Sequence, residues 1–192
     1  MEKLTIKDII PLPGYEKIRD SFKKRIIQKK EARRIHIGDI ITLVFENRET
    51  VKLQIQEMIR VEHIYEEEKI QNEIDIYNAL IPDRNELSAT LFIEIIEESK
   101  IKPELDKLMG LDNGKCLFFQ AGSEKIFAKF EEGHSNASKI SAVHYIRFQF
   151  SSGQIKTFVD GKEDIFLAIE HPYYRAKTKL SEQTRLALSL DF

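Results

Sequence analysis

The sequence predicts a single α+β domain over residues 1–192, with a mainly antiparallel sheet and helices packed on one face of it. Three observations lead to this fold class. The chain has 192 residues, the length of one ordinary domain. Segments with apolar residues every three or four positions alternate with segments of β-branched or period-two character. Most predicted strands follow one another without the long crossovers that parallel pairing needs.

The first predicted element is a basic amphipathic helix at about 13–34. Its apolar positions lie three or four residues apart, at Tyr15, Ile18, Phe22 and Ile26. Nine basic residues and two acidic ones lie between positions 17 and 34. The simpler interpretation is that these charges pair with an acidic stretch at 62–75, within the chain or between subunits. The alternative is that the helix follows the phosphates of a nucleic acid.

Two strands and two helices are predicted next. Residues 35–45 are rich in β-branched side chains and interrupted by Gly38, which indicates two strands joined by a tight turn. Asn47 suits the cap of the following helix, because its side chain can accept hydrogen bonds from the first turn. A further helix, which contains the acidic stretch, ends at Pro82, because proline disfavours the continuation of a helix.

The second half of the chain predicts mostly strands. In chain order these elements are a strand at 87–95, a short helix at 102–109, a hairpin of strands at 115–120 and 125–130, a strand at 141–150, a helix opened by Ser151, a last strand at 165–170 and a C-terminal helix capped by Ser181. The strand at 141–150 has the clearest alternation, and His144 is the exception on its apolar face.

Charge and hydropathy exclude several classes of protein. Thirty basic and 32 acidic residues give a net charge of -2, which argues against a nucleic-acid binder driven by overall charge. The basic helix also lacks interleaved exposed aromatic residues, so a nucleic-acid partner is disfavoured. No stretch approaches the roughly 18 apolar residues of a membrane span, and the charged N-terminus is unlike a secretory signal. We therefore expect a cytoplasmic protein without membrane contact.

Motifs of the common catalytic and nucleotide-binding families are absent from the sequence. It contains no GxGxxG, GxxxxGK[ST], HExxH or GxSxG pattern. The one cysteine, Cys116, cannot form an intramolecular disulfide. It sits among Leu and Phe, which is typical of a small buried side chain rather than a reactive thiol.

Polar residues on the helix after Asn47 form the first candidate site. Gln54, Gln56, Glu57 and Arg60 bring two amides, a carboxylate and a guanidinium to one region. Amides supply donors and acceptors without charge, so this set suits recognition of a polar ligand. The alternative is a solvated helix face on which Glu57 pairs with a nearby cation.

Two histidines form the second candidate site. His144 lies on the apolar face of one strand, and His171 ends another. If those strands are neighbours, the imidazoles could meet a carboxylate such as Glu94 or Glu57 and bind zinc or iron(II). Each could equally be a core histidine that donates to a backbone carbonyl. The cofactor, if any, is not specified by this pattern.

Several blocks of the sequence, taken in combination, resemble a bacterial family of unknown function. The blocks are Arg48-Glu49-Thr50, Gln54-x-Gln56-Glu57-Met58-x-Arg60-x-Glu62, Tyr77-Asn78-x-Leu80-Ile81-Pro82, Ser88-Ala89-Thr90-Leu91, Ser141-Ala142-Val143-His144 and His171-Pro172-x-Tyr174. The family is the domain-of-unknown-function family numbered three thousand five hundred and one, and the resemblance covers nearly the whole chain. It implies a gene neighbourhood of rubrerythrin-like and iron–sulfur oxidoreductase proteins, and hence a role in redox or peroxide defence.

Three hypotheses of function follow. The first is an accessory protein of a redox-stress system, with a pocket of Glu57, Arg60, His144 and His171 that holds a metal or a small polar ligand. The second is a metal-dependent or acid/base enzyme with Glu57 as base and His144 as acid. The third is an interaction module for a redox partner protein, and self-association into a homo-oligomer is left open.

Overall fold

A computed structural model describes residues 1–131, 133 and 139–192 of the chain. The α-helices are α1 (Leu12–Glu31), α2 (Arg48–Val61), α3 (Glu67–Asn78), α4 (Glu98–Lys107), α5 (Ser152–Asp160) and α6 (Glu182–Ser189). The strands are β1 (Arg34–Ile37), β2 (Ile41–Glu46), β3 (Glu86–Ile93), β4 (Leu117–Ala121), β5 (Glu124–Phe130), β6 (Val143–Gln149), β7 (Ile165–His171) and β8 (Tyr174–Lys179). The predicted α+β class is confirmed.

The strands form one antiparallel sheet that curls almost into a barrel. Its order is β1-β2-β3-β6-β5-β4-β7-β8, and every pairing is antiparallel. Side chains of β8 bridge the gap to β1. The Tyr174 hydroxyl donates to the Ile37 carbonyl at 2.5 Å, and the Thr178 hydroxyl donates to the His36 carbonyl at 2.7 Å. Gly38, with φ +67°, is required beside this closure, because a Cβ there would clash with the Tyr174 hydroxyl.

The inward face of the sheet holds the main apolar core. Leu43, Leu91, Phe119 and Phe148 are fully buried there. Alternate side chains of the other strands pack in the same core. Each such side chain contributes about 1.5–3 kcal/mol to folding. Phe158 of α5 and other helix residues join the same core, so helices contribute side chains to it as well.

Helices α1 to α3 form a layer on the outer side of β2 and β3. Val51 and Ile55 of α2 pack with Ile74 of α3 in a second apolar cluster. Outward residues of β2 such as Val44 are buried beneath this layer. No helix among the described residues is long and apolar enough to cross a bilayer.

Three helices depart most from their predicted bounds, and one strand lacks a prediction. The basic helix α1 ends at Glu31 because Arg34 already pairs with Val44 in the sheet. Helix α3 ends at Asn78, before the turn that leads to Pro82. Helix α4 begins at Glu98, so Pro103 lies inside it instead of in its first turn. Strand β8 has no sequence prediction. Its charged residues alternate with small or polar ones, so the segment lacks the large apolar side chains that indicate a strand.

Candidate functional site

Gln56 of α2 holds the N-terminal segment in place. Its side chain is fully buried, although it is an uncharged polar group. Its Oε1 accepts from the Ile10 N–H at 2.6 Å, and its Nε2 donates to the Ile10 carbonyl at 3.1 Å. The amide therefore satisfies both backbone groups of one residue, because it carries a donor and an acceptor side by side without a charge.

Glu57 joins α2 to α1. Its carboxylate accepts from the Tyr15 hydroxyl at 2.7 Å and from Arg19 Nε and Nη2 at 2.8 and 2.7 Å. The hydrogen bonds from Arg19, assisted by Tyr15, lower the pKa of Glu57 to about 2 against the opposing effect of burial. Burial and the neighbouring carboxylate raise the pKa of Tyr15. Glu57 is therefore ionised and a weak base at neutral pH.

The other two predicted ligand-binding residues lie on the same helix. Arg60 Nε is 3.7 Å from Glu57, and its Nη1 is 3.9 Å from Glu16 of α1. Gln54 is half-buried on α2. The predicted polar set thus comes together in part, since Gln56, Glu57 and Arg60 all contact α1 or the segment before it. These contacts agree with the interpretation in which Glu57 pairs with a cation.

A second amide repeats the Gln56 arrangement at the start of the chain. Asn78 accepts from the Leu4 N–H and donates to the Leu4 carbonyl, each at 2.9 Å. Asp8 pairs with Arg48 at 2.6 Å, and its pKa is lowered to about 2 by a hydrogen bond from the Thr5 backbone and by Arg48. The segment before α1 is thereby fixed across both α2 and α3.

A concave surface of about 440 Å³, which we call the apolar groove, lies between this fixed segment and the junction of α2 with α3. Six isoleucines contribute to its lining: Ile6, Ile9, Ile10, Ile59, Ile64 and Ile70. Tyr65, 69% exposed, and Glu67 complete one side of it. The side chains that the sequence analysis singled out as ligands therefore shape a neighbouring groove with a different, apolar character.

The two histidines occupy separate places. His144 is buried, with Nε2 2.8 Å from the Ser141 carbonyl oxygen and its ring edge-to-face with Phe130. His171 Nε2 lies 3.1 Å from the Met109 carbonyl oxygen, and its Nδ1 accepts from the Tyr173 N–H at 3.3 Å. Both rings have the backbone carbonyl partner that is typical of a core histidine.

The strands of these histidines are not neighbours. Strands β5 and β4 lie between β6 and β7, so the condition on which the metal prediction depended is not met. Glu94 accepts from the Thr42 hydroxyl at 2.6 Å, and Glu57 belongs to the α1–α2 contact. Within residues 1–131, 133 and 139–192, no three His, Cys, Asp or Glu side chains are grouped so as to hold a metal. The metal site stays a prediction without a ligand cluster in this part of the chain.

Sequence reasoning missed the groove and its second amide. Asn78 belongs to one of the family blocks, but nothing in its neighbourhood indicates that Leu4, 74 residues away, is its partner. The isoleucines carry a weak signal, since Ile6, Ile9 and Ile10 are apolar residues outside any regular helix or strand of useful length. Apolar residues in an irregular segment indicate that the segment packs on something.

Comparison with known proteins extends the resemblance found in the sequence. The model of a family described as "Protein of unknown function (DUF3501)" matches residues 3–192. A crystal structure at 1.90 Å of a "novel protein of unknown function" from Burkholderia pseudomallei K96243 is similar over 100% of both chains, with a TM-score of 0.91 and 30% identity. No curated protein matches the chain.

Proposed function

We propose that this chain, which belongs to the DUF3501 family of proteins of unknown function, is an accessory protein that binds a partner protein in the apolar groove. The observation that carries the proposal is the groove itself, a concave apolar surface whose walls are fixed by the side chains of Gln56 and Asn78. Contiguous apolar surface left exposed on a folded protein is typical of a binding site.

The size and rigidity of the groove suit a segment of a partner. Its volume of about 440 Å³ lies in the range of ligand pockets and accommodates a few apolar side chains. Because Gln56 holds Ile10 by two hydrogen bonds, one wall is preorganised, and binding costs less conformational entropy. Tyr65 stands at the rim with most of its ring exposed, and tyrosine is enriched among residues that dominate binding energy.

The charge around the groove indicates which side chains a partner segment should carry. Positions 62–75 hold six acidic residues and one Lys. Lys69 pairs with Glu66 at 3.1 Å, whereas Glu67 and Glu68 have no ion pair within the described part of the chain. An acidic rim beside an apolar groove favours a partner segment that carries apolar and basic side chains.

A redox protein is the partner class that we infer. The family resemblance implies genes for rubrerythrin-like and iron–sulfur oxidoreductase proteins nearby, and such proteins bring their own redox centre. An accessory role is compatible with the chemistry of this chain, since burial raises the pKa of the Cys116 thiol and so disfavours the reactive thiolate.

The pocket and enzyme hypotheses have less support. A general base works best with a pKa near the operating pH, whereas that of Glu57 is about 2. His144 is buried on the inward face of β6, while Glu57 lies in the α1–α2 contact. An acid/base pair of these two residues would require a rearrangement of the sheet or the helices.

Calorimetric titration tests the proposal. The ligand is the purified rubrerythrin-like or iron–sulfur protein encoded nearest to this chain in its own genome. We expect Tyr65→Ala and Ile70→Glu to weaken binding at least tenfold. Ile27→Glu is the matched control, because Ile27 is 46% exposed on α1 and does not line the groove. Wild-type protein that binds neither candidate, or a control that loses as much affinity, contradicts the proposal.

A second copy of the chain is the competing occupant. Helix α1 exposes Ile18 and Ile27 among its basic residues, which is the chemistry that the groove and its acidic rim accept. Sedimentation velocity separates the two cases. A monomer supports the partner protein, whereas a dimer that Ile27→Glu and Tyr65→Ala both dissociate assigns the groove to self-association instead.

A further inference from the structure

We propose that the outer face of strands β5, β4, β7 and β8 binds single-stranded nucleic acid. We call this surface the basic sheet face. Five of its outward side chains, all exposed, are Lys or Arg: Lys125 and Lys129 on β5, and Arg175, Lys177 and Lys179 on β8. The proposal rests on observations independent of the apolar groove.

Three of these five cations have no carboxylate within ion-pair distance among the described residues, although Glu170 lies opposite Arg175 in the register of β7 and β8. Lys125 pairs with Glu170 at 2.8 Å, and Lys179 pairs with Asp164 at 2.7 Å. Lys177 donates to the Gln120 side chain at 2.9 Å, and this neutral amide does not offset the positive charge of the lysine.

The other two cations of the face, Lys129 and Arg175, form no ion pair with the described residues. Of the five cations, two have a carboxylate partner and three do not. A local excess of positive charge attracts phosphates and releases their counterions, whatever the net charge of the whole chain.

Aromatic rings lie among these cations. Phe118 and Phe127 are paired across β4 and β5, with ring centroids 5.3 Å apart, and Phe166 follows on β7. Lysine ammonium groups cover two of the rings: Lys125 Nζ lies 4.0 Å from the Phe118 centroid, and Lys177 Nζ lies 4.1 Å from that of Phe166. A lysine that turns toward a phosphate uncovers a ring face on which a base can stack.

The cations and the aromatic rings occupy different parts of the basic sheet face, as the phosphates and the bases occupy different parts of a nucleic-acid strand. Neighbouring strands lie about 4.8 Å apart, so the cations of β5 and β8 flank β4 and β7 at a separation of about 14 Å. The cross-strand row Lys125, Gln120, Phe166 and Lys179 places an amide and a ring between two cations. Phosphates at the flanks and bases over the middle of the face satisfy both sets of groups.

A lipid surface fits these observations less well. Membrane association through aromatic residues requires side chains that protrude into the acyl region. Phe118 is fully buried by its neighbours and Phe166 is half-buried, whereas Phe127, 43% exposed, is the protruding ring. Stacking needs only an accessible ring face, which Phe127 already offers and which Phe166 gains if Lys177 turns away from it.

Fluorescence anisotropy with labelled 12-nucleotide oligouridylate and oligodeoxythymidylate tests the proposal. We expect the double variant Arg175→Gln, Lys177→Gln to lose at least tenfold in affinity at 50 mM salt. Its slope of log affinity against log salt should fall by about 1.4, since each contact to a single strand contributes about 0.7. The matched control is Lys17→Gln, Lys24→Gln, which removes two exposed cations from α1 and should change affinity less than twofold.

Phe127→Leu tests the stacking contribution separately. Leucine retains apolar surface on the sheet but lacks a ring face, so we expect about tenfold weaker binding with an unchanged salt slope. Circular dichroism shows whether each variant is folded, and Phe127→Tyr, which keeps the ring, should bind like wild type.

The proposal is overturned if wild-type protein binds neither oligonucleotide at 50 mM salt, or if the α1 control loses as much affinity as the β8 variant. It is also overturned if vesicles with anionic lipid bind through Arg175 and Lys177 while the oligonucleotides do not.

Discussion

Replacement of Glu57 by Gln tests whether this residue joins α1 to α2 as an ionised group. The substitution keeps the size of the side chain but removes the charge that accepts two hydrogen bonds from Arg19 and one from Tyr15. The Arg19 guanidinium, on a side chain that is 22% exposed, then lies beside a neutral amide. We expect a folded but less stable protein, because hydrogen bonds to an ionised acceptor are stronger than those between neutral groups.

The magnitude follows from the pKa of Glu57. Its ordinary value of 4.5 falls to about 2 in the folded protein. That difference corresponds to an upper limit of about 3 kcal/mol at about 1.36 kcal/mol per pH unit. The side chain is 25% exposed, so solvent screening reduces the expected contribution to about 1–2 kcal/mol. Because the folded pKa is the lower one, this stabilisation is complete above pH 4.5 and is lost as the pH falls toward 2.

The assay is urea unfolding followed by far-UV circular dichroism at pH 7 and pH 3, a suitable probe for a chain without Trp. We expect Glu57→Gln to lower the free energy of unfolding by about 1–2 kcal/mol at pH 7, and the gap to wild type to shrink by more than half at pH 3. Glu31→Gln is the control, because Glu31 is exposed and has no ion pair within the described residues. A gap independent of pH, or one no larger than that of the control, refutes the reasoning.

Three further predictions concern Gln56, Cys116 and the two histidines. Gln56→Ala should cost about 1–3 kcal/mol and accelerate hydrogen exchange at the Ile10 amide, whose acceptor it removes; unchanged exchange contradicts the role of Gln56. Iodoacetamide should alkylate Cys116 at pH 7 more slowly in the folded protein than in urea, because burial raises the thiol pKa, and equal rates would show an accessible thiolate. Elemental analysis of protein purified without chelator tests the metal hypothesis, which requires bound zinc or iron that the double variant His144→Ala, His171→Ala loses.

Local patterns were sufficient to predict most helices and strands. Asn47, for example, caps α2 by accepting from the N–H groups of Glu49 and Thr50, and Ser151 and Ser181 cap α5 and α6 in the same way. Caps and periodicity act over a few residues, so they can be seen in sequence. The alternation at 143–149 likewise identified the inward face of β6 before any partner strand was known.

Pairings between distant side chains could not be predicted in the same way. The charge pattern predicts that the basic helix pairs with the acidic stretch at 62–75, within the chain or between subunits. Within the chain, basic side chains of α1 pair instead with Glu57 and Glu49 of α2 and, through Lys30, with Glu46 of β2. Which carboxylates face α1 depends on how the helices cross on the sheet, and that crossing is set by packing of apolar side chains contributed by separate elements.

The sequence by itself determined the fold class, the basic character of α1 and the apolar faces of the strands, because each depends on residues close together in the chain. Only the tertiary structure decided where the polar candidates lie and which surfaces stay open. Gln56 and Glu57 became internal contacts because the N-terminal segment folds back over α2. The basic sheet face exists because β5 and β8, about 50 residues apart in sequence, lie in one sheet with β4 and β7 between them. The net charge of -2 does not reveal that arrangement, because it is a sum over the whole chain, whereas recognition depends on where the charged side chains lie in space.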